Sequence, residues 1–125
     1  MRDREVVSLS LVVATLGIVT LSFAAGTAKP EEMKIAELSG AQLGALVEVE
    51  GEVVDVKNHR NGHVFLRLSD GTGEVKVALF RSVAREVEPQ CLREGARVAV
   101  VGRVEEYRGE IELVPREGEK VRCLR

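Results

Sequence analysis

The sequence predicts an all-β fold: a small five-stranded Greek-key barrel with a short connecting helix, preceded by an N-terminal hydrophobic helix. Three observations carry this. Residues 63–80, HVFLRLSDGTGEVKVALF, alternate apolar and polar side chains on either side of a turn, the period-two mark of two strands that each bury one face. Residues 47–58, 96–105 and 111–115 repeat that alternation and bring the strands to five. Ahead of them Val6–Ala28 runs 23 residues without a charge, and about 20 apolar residues suffice to cross a bilayer as a helix.

In chain order, the charged MRDRE opens the sequence and the apolar run follows. Its length favours a transmembrane anchor over a signal peptide, whose apolar centre is about 7–15 residues. The small residues Ala24–Ala28 are also where a signal peptidase would cut, so an uncleaved or a cleaved signal segment stays open. Arg2 and Arg4 precede the run, and Lys29 and Lys34 follow it, a balance that leaves the positive-inside rule silent. The short N-terminal tail suits a single-pass anchor with the barrel outside the cytoplasm. Ser10, Ala14 and Gly17 lie near one helical face and would let two such helices approach closely. The organisation expected is an anchor or uncleaved signal over 1–28, a linker over 29–34 and the barrel domain over 35–125. Pro30 with Glu31 and Glu32 reads as a helix start, and Met33–Leu46 as an irregular turn broken by Gly40 and Gly44.

Val47 and Val49 set one phase of the first strand, and Val54 and Val56 the other. A glycine at such a switch, Gly51, marks a bulge or bend. A bent strand can serve both halves of a closed barrel. Asn58–Gly62 is a polar turn. Val64, Leu66 and Leu68 face the core in the second strand, and Val75, Val77 and Leu79 in the third, joined by Asp70-Gly71-Thr72-Gly73. Ser82 is placed to cap a short helix, SVAREVE, that ends before Pro89. Val98, Val100, Gly102 and Val104 share one face of the fourth strand, Tyr107-Arg108-Gly109 is a hairpin tip, and Ile111, Leu113 and Pro115 belong to the fifth strand. In the charged tail Val121 and Leu124 are the apolar anchors.

This alternation leaves Phe65, Arg67, Lys76 and Phe80 on the outer face. Rings to stack bases and cations to meet phosphates are what a single-stranded nucleic acid needs. An ordinary half-buried sheet face with solvated charges uses the same residues. The formal charge of −2 makes the chain as a whole no attractor of nucleic acid, and from Ile35 onward 14 Lys and Arg still face 16 Asp and Glu. Few amides among many charges is the hyperthermophile tendency, from which an archaeal, thermophilic source is expected. Cys91 and Cys123, the only cysteines, either form a disulfide or remain two free thiols. His59 and His63 are separated by a turn, so they lack the helical spacing of a metal pair; no metal, cofactor or catalytic grouping is expected, and the carboxylates fall at the spacing of a solvated strand face.

The runs VEVEGEVVDV, HVFLRLSDGTGEVKVALF and LREGARVAVVGRVEEYRGEIELVP resemble the OB-fold of the anticodon-binding and replication protein A-like type over about Lys34 to Arg116. The order of features matches: a glycine in strand one, a D-G-x-G hairpin, E-G before strand four and G-E-I-E-L in strand five. The resemblance implies single-stranded DNA or RNA as partner, with Phe65 stacking a base. The loops after strands one and four, carrying His59, Arg60, Tyr107 and Arg108, would flank the groove. The nucleic-acid-binding set expected is therefore Phe65, Arg67, Lys76, Arg60, Tyr107 and Arg108. Glu48, Glu50, Glu52, Glu74, Glu110 and Glu112 on the same strands depart from a basic groove. A tethered OB-fold also resembles the haem chaperone of cytochrome c maturation, in which a C-terminal His or Cys attaches haem; Cys123 falls in that region, but the Tyr that follows it in that family is absent. The expectation is a non-enzymatic, membrane-anchored binding module for single-stranded nucleic acid. Its alternative is an extracytoplasmic interaction module that assembles with other proteins or with itself.

Overall fold

A computed structural model describes residues 29–124. Seven strands run β1 (Glu31–Glu32), β2 (Leu46–Asn58), β3 (Val64–Ser69), β4 (Glu74–Leu79), β5 (Arg97–Tyr107), β6 (Glu110–Val114) and β7 (Val121–Cys123), with one α-helix, α1 (Arg81–Ala84), between β4 and β5. β2 pairs antiparallel with β3 at one end and with β5 at the other. β3 pairs with β4, β4 runs parallel to β6, and β6 returns to β5. The five longer strands thus close on themselves as expected. Val6–Ala28 lies outside the described residues, and among those described no helix is long and apolar enough to cross a membrane.

The bend in β2 is real, but its bulge lies beyond the glycine. Val47, Val49, Gly51 and Val53 all keep the inward phase, and the register shifts between Val53 and Asp55, turning Val54 out to solvent. Gly51 does something else. A Cβ built there would stand 2.8 Å from the Ser69 carbonyl oxygen, so only glycine lets β2 cross from β5 to β3 at this distance. Gly102 repeats the device on β5, where a Cβ would lie 2.9 Å from the backbone nitrogen of Pro115.

The interior is aliphatic. Val47, Val49, Leu66, Leu68, Val77, Leu79, Val98, Val100, Val104 and Leu113 are wholly or almost wholly buried, as the alternation requires.

Two short strands were not expected. Glu31–Glu32 forms β1, parallel to Val47–Glu48, instead of opening a helix; the Met33 N–H donates to the Glu48 carbonyl at 3.0 Å, and backbone pairing overrides the local helix-start signal. Glu31, Glu32 and Met33, within the span 29–34, are thus hydrogen-bonded to the edge of β2. Ser39 and Gln42 form a capping box on a 3₁₀ turn within the following segment. In the tail, Val121–Cys123 pairs with Val98–Val100.

The helix is shorter than SVAREVE. Its N-cap is Phe80, and Ser82 lies inside it without capping; the Arg81 N–H instead donates to His63 Nδ1 at 2.8 Å. Cys91 and Cys123 pair as a disulfide with Cα atoms 5.3 Å apart, which ties β7 to the 3₁₀ turn Pro89–Leu92. Closing that loop contributes about 3–4 kcal/mol on chain-entropy grounds. The pairing leaves Cys123 no free thiol for haem attachment.

Asp70 joins the β3–β4 turn to the segment that precedes β2. Its carboxylate accepts from the Ile35 N–H (2.9 Å), the Thr72 N–H (2.9 Å) and the Thr72 hydroxyl (2.6 Å). Desolvation pushes its carboxyl upward, but the hydrogen bonds from Ile35, Thr72 and Gly73 outweigh it and hold the group below its ordinary value of 3.8. A lowered carboxyl stabilises the fold above its unfolded pKa, and that contribution disappears as pH falls through the folded value. Asp70→Asn is expected to lower stability at neutral pH and to flatten the acid limb of the stability curve below about pH 4. Urea unfolding of both proteins across the acid range measures this, and parallel acid limbs would contradict it.

Candidate nucleic-acid interface

Outward-pointing positions on β3 and β4 build a continuous surface. Phe65 pairs laterally with Lys57 on β2 and Ala78 on β4, and Arg67 with Asp55 and Lys76. Lys76 in turn faces Glu112 on β6, and Glu112 faces Glu105 on β5. One row across the sheets therefore reads acid, base, base, acid, acid. Strand parity alone places these five side chains on one side.

Phe65 sits half-buried at the centre of this surface. The His59 ring meets it edge-on, with centroids 4.9 Å apart and planes at 81°. Lys76 Nζ lies 4.9 Å from its centroid, a cation–π distance. His59, from the β2–β3 turn, is thus a neighbour of the expected stacking residue. Arg60 in the same turn is exposed.

The opposite rim is the β5–β6 hairpin. Arg108 and Gly109 both adopt positive φ, +52° and +78°, as a two-residue type I′ turn requires. Arginine is a costly choice there, because the left-handed region crowds a Cβ. The turn sets the Arg108 guanidinium 5.2 Å from the centroid of the Tyr107 ring, which is 54% exposed. Arg67 reaches this hairpin through an ion pair with Glu110 at 3.5 Å. The structure therefore brings Phe65, Arg67, Lys76, Tyr107 and Arg108 to one side of the barrel, with Arg60 in the turn that borders it.

The cations on this face are not free, and the reading of the acids as a solvated face needs correction. Glu112 is only 7% exposed. Lys76 Nζ stands 3.3 Å from its Oε1, yet that oxygen has no partner in hydrogen-bond geometry. The pairing arises because β4 and β6 run parallel at Lys76 and Glu112. No local pattern signals such a contact between strands so far apart in sequence. Arg116 is likewise held 3.6 Å from Glu105.

Phe80 departs in a different way. It lies beyond β4 as the N-cap of α1, 46% exposed, with the His63 ring 5.3 Å away and perpendicular. Both histidines thus act as surface partners of phenylalanines. The one cluster of potential metal ligands among the described residues, Glu88 with Cys91 and Cys123, contains the disulfide.

A family model described as OB-fold nucleic acid binding domain matches residues 47–121. The exodeoxyribonuclease 7 large subunit of Stutzerimonas stutzeri is 36% identical over 92 residues, covering 67% of this chain and 20% of that protein. The subunit of the same name from Chlorobaculum tepidum is 41% identical over 63 residues, covering 50% and 16%. The chain thus spans about one fifth or less of the length of these curated relatives. They are bacterial and lend no support to the expected archaeal, thermophilic source. Among solved structures, an OB domain from Methanosarcina mazei superposes with a TM-score of 0.65 at 17% identity, over 77% of this chain and 85% of that one. A replication factor A related protein from Methanobacterium thermoautotrophicum gives 0.58 at 19%, over 75% and 91%. At these identities the two structures establish the fold.

The buried Lys76–Glu112 pair makes a stability prediction. Removing one partner of a buried pair strands the other charge and costs about 3–5 kcal/mol when burial is complete. Lys76 keeps 30% of its side chain exposed, so Lys76→Met is expected to cost about 1–3 kcal/mol. The double variant Lys76→Met/Glu112→Gln should recover most of that. Chemical denaturation of the four-protein cycle tests it; additive losses would show that the two side chains are not coupled.

Proposed function

The chain belongs to the OB-fold nucleic acid binding domain family, and from that premise we propose that its barrel is a binding module for single-stranded nucleic acid, with DNA the preferred strand. The observation that carries this reading is where the aromatic side chains lie. The described residues hold Phe65, Phe80 and Tyr107 and no tryptophan, and none of the three is in the core. Large aromatic rings ordinarily dominate cores because each buries so much apolar area. This barrel fills its interior with Val, Leu, Ile and Ala and leaves its rings outside, in company with His59, Lys76 and Arg108.

In this reading Phe65 stacks a base. Arg67 and Lys76 leave Glu110 and Glu112 to meet phosphates, and Arg60 and Arg108 hold the strand from the two rims, with Tyr107 offering a second ring. The preference for DNA draws on the relatives named as exodeoxyribonuclease subunits. The reading concerns binding alone, since the matched region spans about a fifth of those proteins.

The test is fluorescence anisotropy of labelled oligothymidylate and oligouridylate with the full-length chain in mild detergent, titrated with salt. Phe65→Ala is expected to raise the dissociation constant by about 5- to 150-fold, the equivalent of roughly 1–3 kcal/mol for one stacked base. Affinity should fall as salt rises, because phosphate contacts release counterions. Absence of binding at low salt would overturn the proposal and turn attention to the alternative of a protein-interaction or self-assembly surface, which the nearly neutral pairing of this face also suits.

The 23-residue uncharged run Val6–Ala28 supports a single-pass tether, and the barrel's place outside the cytoplasm is the part of the proposal that protease reads. Protease applied to spheroplasts should then digest the barrel, whereas protection until the spheroplasts are lysed would place it inside.

A further inference from the structure

A hollow beside the candidate interface has no role in the reading above. Phe80 forms one wall, Val83, Val114 and Pro115 supply an apolar floor, and Ser82 and Arg116 stand at the rim. The floor is well buried, yet the Phe80 ring is 46% exposed. The ring's orientation is set from outside the hollow. His63 packs against it edge-on at 5.3 Å, and His63 is itself fixed by the hydrogen bond it accepts from the Arg81 N–H at 2.8 Å.

The hollow continues the interface. Phe65 lies opposite Ala78 on β4, and Phe80 is two residues further along extended backbone (φ −70°, ψ 157°), so it returns to the same outer side. One strand spacing and two residues of rise separate the two phenylalanine Cα atoms by about 8 Å, a step that one or two nucleotides of an extended strand can span. On the other flank the hollow shares Glu105, which pairs with Glu112, the partner of Lys76. Among the described residues, the Arg116 side chain, 62% exposed, is held by the surface contact to Glu105 at 3.6 Å. Exposed pairs of this kind are worth little, so a phosphate can take the guanidinium from it.

We propose that this hollow is a second nucleobase subsite, in which a base stacks on Phe80 above Val114 and Pro115 while Arg116 meets the adjoining phosphate. The inference rests on the nucleic-acid reading of the barrel face and deepens it. The bound strand runs from the Tyr107–Arg108 rim across Phe65 toward α1, and the footprint is longer than the Phe65 platform alone.

The experiment compares a labelled thymidine mononucleotide, which cannot reach both rings at once, with an oligothymidylate octanucleotide, by anisotropy on the full-length chain. Phe80→Leu keeps apolar cover over Val83 but removes the stacking face. It is expected to weaken octanucleotide binding by roughly 5- to 30-fold and to leave mononucleotide binding at the Phe65 platform nearly unchanged; Phe80→Tyr should bind like the parent. Arg116→Gln, which does not touch the core, should weaken the octanucleotide alone and lower its salt dependence by about one phosphate contact. Arg116→Gln decides the matter if Phe80→Leu fails to fold. Equal octanucleotide affinity in parent, Phe80→Leu and Arg116→Gln, with Phe65→Ala still impaired, would overturn the subsite and leave the first reading standing. Equal losses at both lengths would also overturn it, since Phe80 would then be supporting the Phe65 platform. A parent protein that does not bind the octanucleotide would overturn both readings together.

Discussion

The dual pairing of β2 is the constraint on which the rest of the molecule depends. One strand of 13 residues serves two neighbours, and the handover occurs at Glu52, which pairs with both Ser69 and Arg97. Around it the Val53 N–H donates to the Ala96 carbonyl, and the Gly95 N–H to the Val53 carbonyl, both at 2.8 Å. Gly51 permits the close approach to Ser69, and the bulge after Val53 resets the inward phase so that Val56 again packs against the core. If that crossing opened, the barrel would open into a sheet in which β3 and β5 stay joined only through β4 and β6. The outer face would lose the curvature that sets the β2–β3 turn and the β5–β6 hairpin on either side of Phe65.

The charge pattern of the interface follows from this closure. Parallel pairing of β4 with β6 brings Glu112 against Lys76, and the hairpin brings Glu110 to Arg67. A nucleic acid therefore competes with carboxylates already in place and does not enter an open basic groove. That competition reconciles a chain of net charge −2 with a binding function. Local cations exist, and in the proposed mode each phosphate contact would be offset in part by breaking an internal pair, which would leave base stacking a larger share of the affinity than in a strongly basic domain. The same carboxylates disfavour loose, sequence-independent attraction of duplex nucleic acid, which relies on long-range charge.

The barrel was legible in the sequence because its information is periodic. Alternation in 63–80 and 96–105 locates inward residues with no knowledge of their partners, and those residues are the buried ones. Phe65, Arg67 and Lys76 were legible for the same reason, as the other half of the alternation. What escaped depends on distant pairing. β1 forms only because Val47–Glu48 offers it backbone partners. β7 needs β5, and the Cys91–Cys123 bridge joins positions 32 apart. The burial of Glu112 needs the parallel register with Lys76. His63, for which the sequence suggested no partner in the helix, accepts from the first N–H of α1 through its ring nitrogen, a contact from another hairpin where a Ser82 cap was expected.

Arg108 shows how the hairpin rim is specified. A type I′ turn favours Asn or Asp with Gly at its centre, and this chain has Arg-Gly. Holding a non-glycine residue in the left-handed region costs of order 1–3 kcal/mol, and Asn would relieve part of that. A fold selected for stability alone would accept the cheaper residue, since the Arg108 side chain is exposed and contributes nothing to the core. What arginine adds is a guanidinium beside the exposed Tyr107 ring, on the rim facing Phe65. Backbone strain retained next to a cation and an uncovered ring is what the proposed use of both by a bound strand would account for. The aliphatic core with its displaced aromatics leads to the same conclusion from the opposite side of the β-sheet.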